Sequence, residues 1–464
     1  MTARVLLVAP PSVQLAYAGL KKASIARVHP PLSLPMLAAR VRDRATVRIL
    51  DLNVEPQPQL ALASALESFR PTHVGVTGVT PLYPSMLEIL RTVRRIDPAI
   101  VTIAGGPFVS ALPEEVVATT LVDCVVIGEG EETFAELLER PLAEVRGICY
   151  LADGAPRRTA VRPPIEDLDR LPLPAWDLYD LSRYRAPVVV ERHPPAALVE
   201  TTRGCPHSCV WCSKIPFGST FRVKSPERVV EEFLYLKRIG FREAHVEDDG
   251  FSENLKHAKE VCRALIAARI DLPWNLLNGI RVDRFDDELA GLLAAAGCYQ
   301  CGFGIETGND AVRGEAGKRV VGSDIRRALD IARRHGLESM GYFIMGLPNE
   351  TEASLRETIE FMCSLPLDYV KISTFVPFPG SRIFTELEQA GRILTRDWGL
   401  YLHHDVQHEV FRHEVLTKAV LARYYREAYR RFYLRPPYML RQLAKGIRKG
   451  MLRRMAADFI ATKW

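Results

Sequence analysis

The chain has 464 residues, 47% hydrophobic and 25% charged, a globular composition that is long enough for two or three domains. No apolar run approaches the roughly 18 residues of a membrane span, and the opening MTARVLLVAPPS reads as a strand rather than a signal peptide, so a cytoplasmic protein is expected. Nine cysteines in so long a chain exclude a disulfide scaffold, and the net charge of +5 is uneven: residues 414–464 carry thirteen Lys or Arg against three Asp or Glu, +10, leaving −5 for the remainder.

Residues 1–150 alternate apolar, β-branched runs (RVLLVAP, TVRILDL, HVGVTGV, IVTIAGG, DCVVIGEG) with segments of helical spacing such as LSLPMLAARVRD and PSMLEILRTVRRID. This alternation predicts an α/β fold, a doubly wound, Rossmann-like parallel sheet. The runs end in small or turn residues, Thr77-Gly78, Gly105-Gly106-Pro107 and Gly128-Glu129-Gly130, where an open α/β sheet binds a ligand. Glycines also end strands for purely conformational reasons. No Gly-x-Gly-x-x-Gly opens the first helix, which argues against a nicotinamide site.

Residues 151–190, proline-rich and acidic, read as a linker. Over 191–390 a second alternating series follows, with AALVETT, EAHVED, WNLLNG, QCGFGIET, SMGYFIMG and YVKISTF as strands. Ser225 and Pro226 mark one helix start as N-cap and first turn. Six strand–helix units predict a partial (β/α)6 TIM-like barrel with its functional groups at the carboxyl ends of the strands. From 391 to 464 the chain reads as a helical, basic extension.

Cys205, Cys209 and Cys212, in TTRGCPHSCVWCSK, follow the first strand of this second series. Three thiolates in one loop suit three corners of an iron–sulfur cluster, or a zinc with a fourth ligand. His207 or the pair Cys298 and Cys301 could supply that ligand, but Cys298 is expected to close a helix and Cys301 to open a strand, at the far end of a barrel. The spacing Cys-x3-Cys-x2-Cys, with Trp211 before the last cysteine, resembles the signature of the radical S-adenosylmethionine (radical SAM) enzymes. The resemblance implies a four-iron four-sulfur cluster with one iron left open for S-adenosylmethionine, whose cleavage gives a 5′-deoxyadenosyl radical. It also implies that Trp211 packs beside the cofactor. GLPNET at 346–351 resembles the family loop against the adenine, bringing in Gly346 and Pro348, with Asn349 where glycine is usual. GIETG at 304–308 implies Glu306 near the methionine or ribose, and EDDGF at 247–251 implies Asp248 or Asp249 near the amino nitrogen. Arg281 is expected to pair with the carboxylate.

The combination of the two units over residues 3–390 resembles the cobalamin-dependent branch of that family. The motif Asp-x-His-x-x-Gly, whose histidine ligates cobalt, is missing, and His73 lacks the aspartate, so cobalamin without a protein histidine ligand is expected. Thr77-x-Val79, with Gly105 and Gly106 following at the family's interval, matches the pair that admits the nucleotide tail. Thr80 to Tyr83, including Leu82, are expected to face the lower side of the corrin, and Gly128, Glu129 and Gly130 complete the rim. The rival is a vestigial Rossmann-like fold.

The resemblance implies methylation of an unactivated carbon of a lipid or secondary metabolite, with a low-potential donor such as flavodoxin or ferredoxin. Oxidative cyclisation, ring rearrangement and carbon–carbon coupling share the architecture. Methylthio transfer lacks a second cluster motif, and a non-catalytic iron–sulfur sensor lacks a DNA-binding motif. Nucleic acid is not an expected partner. In the tail, Met439, Leu440, Leu443, Ile447, Met451, Leu452, Met455 and Phe459 recur at helical steps, with Arg441, Lys445, Arg448, Lys449, Arg453 and Arg454 largely between them. Peripheral contact with an anionic membrane is one expectation; the other is a stripe packed on the barrel with its charges solvated.

Overall fold

The computed structural model describes residues 3–12, 29–215, 217–448, 450 and 452–453. A first sheet comprises β1 (Ala3–Ala9), β2 (Ala45–Asp51), β3 (His73–Thr77), β4 (Val101–Gly105), β5 (Cys124–Val126), β6 (Ile148–Ala152) and β7 (Ala155–Arg158), in the order β2-β1-β3-β4-β5-β6-β7. β1 to β5 are parallel, and Val5, Leu6, Leu7 and Val8 are all fully buried because helices cover both faces. Leu6 and Val8 enter the core on one face, Val5 and Leu7 the core on the other. β6 and β7 add an antiparallel hairpin, which carries the sheet to Arg158. Sequence reading missed β7 because its four residues are all exposed and show no apolar alternation.

The second sheet has six parallel strands: β8 (Ala196–Val199), β11 (Glu243–Val246), β12 (Trp274–Ile280), β13 (Cys298–Glu306), β14 (Glu338–Met345) and β15 (Tyr369–Thr374). Its order is β15-β14-β13-β12-β11-β8, with β8 and β15 at open edges, so the barrel is partial. Two short antiparallel strands, β9 (Thr202–Arg203) and β10 (Arg222–Val223), flank the cysteine loop. Cys298 opens β13 rather than closing the preceding helix, which corrects the reading above. The helix Pro226–Ile239 begins as expected: Ser225 accepts a hydrogen bond from the Arg228 amide at 3.1 Å, with Pro226 in the first turn.

The carboxyl-terminal extension is not helical from 391. Residues 391–417 hold one bridge, Ile393 to Phe411, and a single turn, Trp398–Leu400, packed on the first sheet's core. Helices Lys418–Tyr433 and Pro436–Arg448 then close the exposed edge of the barrel. Tyr429 and Tyr433 hydroxyls accept from the Ile372 and Val370 amides of β15 at 3.1 and 3.0 Å, satisfying an edge strand.

The helix Pro436–Arg448 docks by its polar side. Lys445 pairs with Glu338 at 2.7 Å and Asp368 at 3.2 Å, while Tyr438 and Gln442 donate to the Asp368 carbonyl. Met439, Leu440, Leu443 and Ile447 face outward, Leu440 at 67% exposure. The expectation of a stripe packed on the barrel is therefore corrected: four buried polar contacts outcompete the stripe for the docking face. Met451, Met455, Phe459 and Arg454 lie outside the described residues.

Candidate active site between the two sheets

The two sheets meet through charge and apolar surface together. Arg203, 1% exposed, pairs with Glu129 at 3.3 Å, Glu131 at 2.5 Å and Glu200 at 2.7 Å. Arg222 adds a second guanidinium to Glu129 at 2.5 Å. Val210 and Val312 join Leu6, Val8 and Tyr83 in one continuous core, with Trp211 at its margin. The carboxyl ends of the first sheet thus face the cysteine loop.

That loop is held at both ends. Asp249 accepts from the Gly204 amide at 3.0 Å, and the Val210 amide donates to the Ala316 carbonyl at 3.1 Å. Gly204 adopts φ +82°, and a side chain there would strike the Thr220 carbonyl, so the turn into the loop requires glycine. Cys205, Cys209 and Cys212 are all unpaired, and Cys212 opens to solvent. Burial raises the Cys209 thiol, opposed by Lys318 and Arg281; burial and then its two neighbouring cysteines raise Cys212 to about 12. Among the described residues no group of three His, Cys, Asp or Glu side chains is set to hold a single ion. The three thiols are free of disulfides, and each could take a separate iron of a four-iron cluster.

The residues expected around S-adenosylmethionine divide into two groups. Asp249, Arg281 and Glu306 border the cysteines: Asp249 influences Cys212, and Arg281 and Glu306 influence Cys209. Glu306 pairs with Lys318 at 2.6 Å, and Arg281 with Asp283 at 3.0 Å. Asp248 is turned away. Its carboxylate accepts from the Thr201 amide at 2.6 Å, the Thr202 amide at 3.0 Å and the Thr201 hydroxyl, so it ties β8 to β11. Burial first raises it, to about 7. The expectation that Asp248 meets the amino nitrogen is corrected, and Asp249 is the residue that remains available.

In the loop after β14, Glu350 accepts from the Gly346 amide at 2.6 Å and the Leu347 amide at 3.2 Å. Gly346 packs against Leu421, and Pro348 lines a shallow pocket with Ile383 and Phe411. Asn349 adopts φ +65°, a left-handed conformation that asparagine tolerates where the family pattern has glycine.

At the rim of the first sheet, Val79 is 48% exposed and a side-chain carbon at Gly105 would meet nothing within 4 Å. At Gly106, φ +103°, the same carbon would sit 2.8 Å from the Thr77 hydroxyl, so glycine lets the chain pass close beside it. This open rim with a hydroxyl beneath fits a bulky planar group carrying a polar tail. Leu82 and Tyr83 do not belong to the rim. Both are buried, Tyr83 against Phe108 at 4.5 Å between ring centroids, and Thr80 is buried with them. The Trp398–Leu400 turn packs against that segment, which lies beneath the rim. Gly128 and Gly130 flank Glu129, whose carboxylate is spent on Arg203, Arg222 and the Ile165 amide.

Sequence reading missed Lys318, Glu200 and Arg203, and a further group inside the barrel: Glu247, Tyr342, Lys371, His403 and His404. Strand alternation offered a signal for Lys371, which sits between two core residues of β15. Nothing local distinguished the two histidines, which lie on an irregular loop.

An open α/β sheet thus meets a partial barrel, with three disulfide-free thiols after the first barrel strand. Residues 21–138 match the B12 binding domain family and residues 199–362 the radical SAM superfamily. The chain is 31% identical to the uncharacterized methyltransferase PH0819 of Pyrococcus horikoshii, covering 95% of this chain and 94% of that one. It is 28% identical to cytidylyl-2-hydroxyethylphosphonate methyltransferase of Streptomyces wedmorensis over 71% and 69% of the two chains. The fold resembles the radical SAM methyltransferase TsrM from Kitasatospora setae, with TM-score 0.68, 22% identity and coverage of 85% and 76%. The chain belongs to the cobalamin-dependent radical SAM family, with a B12 binding domain followed by a radical SAM domain.

Proposed function

We propose that the protein methylates an unactivated carbon of a small molecule held between the rim of the first sheet and the barrel. The observation that carries this reading is the juxtaposition of the open Thr77, Val79, Gly105 and Gly106 rim with the unpaired Cys205, Cys209 and Cys212 loop across one shared core. When bound, the cofactors supply hydrogen abstraction from carbon and a transferable methyl group. The chain's own residues would hold them. The three cysteines take the cluster, Asp249, Arg281 and Glu306 orient S-adenosylmethionine, and Gly346 and Pro348 border its adenine. Trp211 buttresses the loop, and Gly128 and Gly130 complete the cobalamin rim. Residues 1–150, 151–190, 191–390 and 391–464 serve as cobalamin-binding unit, linker, radical unit and cap. A flavodoxin or ferredoxin would deliver the electron.

The outward stripe of Met439, Leu440, Leu443 and Ile447, in a tail rich in Arg and Lys, supports peripheral contact with an anionic membrane. The helix stands on Glu338 and Asp368, at the amino ends of the barrel strands and away from the cysteines. Such contact would therefore anchor the enzyme without selecting a lipid acceptor. Flotation with anionic vesicles tests it: full-length protein should float and a chain ending at Arg435 should not, and equal recovery removes the anchor.

The functional reading is tested by product mass after anaerobic reconstitution with iron, sulfide and cobalamin. A gain of one methylene unit supports methylation. A loss of hydrogens at constant carbon count would replace it with oxidative cyclisation.

A further inference from the structure

Val370 and Ile372 of β15 lie in the core between barrel and outer helices, so Lys371 between them points into the barrel interior. By register it lies beside Tyr342 of β14, whose hydroxyl donates to the Leu277 carbonyl. Glu247, just beyond β11, faces it across the interior. From the irregular segment beyond the Trp398–Leu400 turn, His403 and His404 come near enough for the charge of Lys371 to act on their rings. The His403 carbonyl accepts from the Thr374 amide at 2.7 Å, and its ring lies 4.9 Å from that of Phe378.

Lys371 keeps an exposed surface while pointing to the interior side of β15, beside Tyr342. Among the described residues no hydrogen bond or ion pair reaches its ammonium. Burial lowers the Lys371 ammonium from its usual value, and burial raises Glu247 to about 7, so the carboxyl offsets the cation only in part near neutrality. Desolvation lowers His403 and His404 to about 4, although His403 keeps an exposed surface. Lys371, two imidazoles and a carboxyl are thus brought to one side of the barrel. The cations beside the cysteines are others, Arg281 and Lys318, each already carrying its own carboxylate.

We propose that Lys371, with His403 and His404 as hydrogen-bonding partners, anchors an oxyanion of the methyl acceptor, a carboxylate or a phosphate. This rests on the reading that the barrel interior holds the acceptor. A lone ammonium on the interior side of the barrel gains a charge-assisted hydrogen bond from such a group, and the raised Glu247 yields its charge when an anion enters. The acceptor is accordingly an amphipathic or polar acid rather than a neutral hydrocarbon.

The test is acetylation of the full-length reconstituted protein by acetic anhydride, followed by peptide mass spectrometry at Lys371 and at exposed Lys256. Inorganic phosphate or acetate, compared with chloride at equal ionic strength, should slow labelling of Lys371 and leave Lys256 unchanged. Protection by phosphate alone identifies a phosphate-type acceptor, and protection by acetate alone a carboxylate. Glu247→Gln should strengthen the protection, and in calorimetric titration with phosphate and acetate Lys371→Arg should retain anion binding that Lys371→Met weakens by about tenfold. Equal labelling of Lys371 in all three salts overturns the proposal, as does protection by S-adenosylmethionine alone, which would assign Lys371 to the cofactor. None of these readouts depends on methyl transfer, so failure here leaves the functional reading standing.

Discussion

At the amino ends of the barrel strands, Glu243 accepts from the Arg192 and His193 amides and from Tyr299, while Arg192 and Lys445 both pair with Glu338. Toward the carboxyl ends, Asp249 and the disulfide-free Cys212 border the cysteine loop, and Lys371, midway along β15, has no ion-pair partner among the described residues. The two ends draw on the same residue types. What separates them is whether each charge already has its partner inside the protein. A buried ion that is fully paired closes a fold, and one that is enclosed but unpaired waits for a ligand. The comparison can be broken most sharply at the cysteines. Cys209→Ala should abolish cluster absorbance and 5′-deoxyadenosine formation together, and retained absorbance would remove that thiol from the site.

Between the two ends lies the Arg203 cluster, which is paired yet adjacent to the cofactor loop. Arg203→Met leaves Glu129, Glu131 and Glu200 buried without their shared cation and should cost about 3–5 kcal/mol in chemical denaturation. A loss of activity with unchanged stability would instead place Arg203 among the ligand-binding groups.

Lys445→Met and Lys371→Met give the comparison its most direct contrast. The first removes a paired cation from the closed end and should lower stability by about 1–3 kcal/mol, since Glu338 keeps Arg192. The second removes an unpaired cation and should leave stability unchanged or raise it. Equal destabilisation by both, measured by urea unfolding, would erase the distinction.

A smaller effect concerns Glu350. Burial raises its carboxyl from 4.5 to about 7, so the folded protein holds a proton that the unfolded chain releases near 4.5. Its contribution is fully present below the unfolded value and is lost as pH rises through about 7. Glu350→Gln has no such loss, so its stability relative to wild type should improve between about pH 5 and pH 8, by on the order of 2–3 kcal/mol. A flat difference across that window would mean that Glu350 is ionised in the folded loop.

The strands and the cysteine loop were legible because their signals are local: β-branched runs, capped helix starts and three thiols at fixed spacing. The hairpin strand Ala155–Arg158 was not, because exposed residues carry no burial pattern. Asp248 and Asp249 are neighbours of identical chemistry, and only the fold shows that Thr201 and Thr202 consume one of them. The burial of Leu82 and Tyr83 was not legible, because the segment that packs against them, Trp398–Leu400, lies more than three hundred residues away in sequence. The described part of the tail helix, Pro436–Arg448, is amphipathic as expected, but which side docks depended on Glu338 and Asp368, which are distant in the chain. Helical periodicity describes a face without naming its partner.

The central claim is methyl transfer at the open end of the barrel, and isotope transfer tests it directly. The reconstituted protein is incubated anaerobically with a low-potential reductant, methyl-deuterated S-adenosylmethionine and a metabolite extract, with Cys209→Ala as the control. The account predicts an acidic small molecule bearing the deuterated methyl on carbon, formed by wild type and absent from the variant. Formation of 5′-deoxyadenosine by wild type with no deuterated methyl in any product would contradict it.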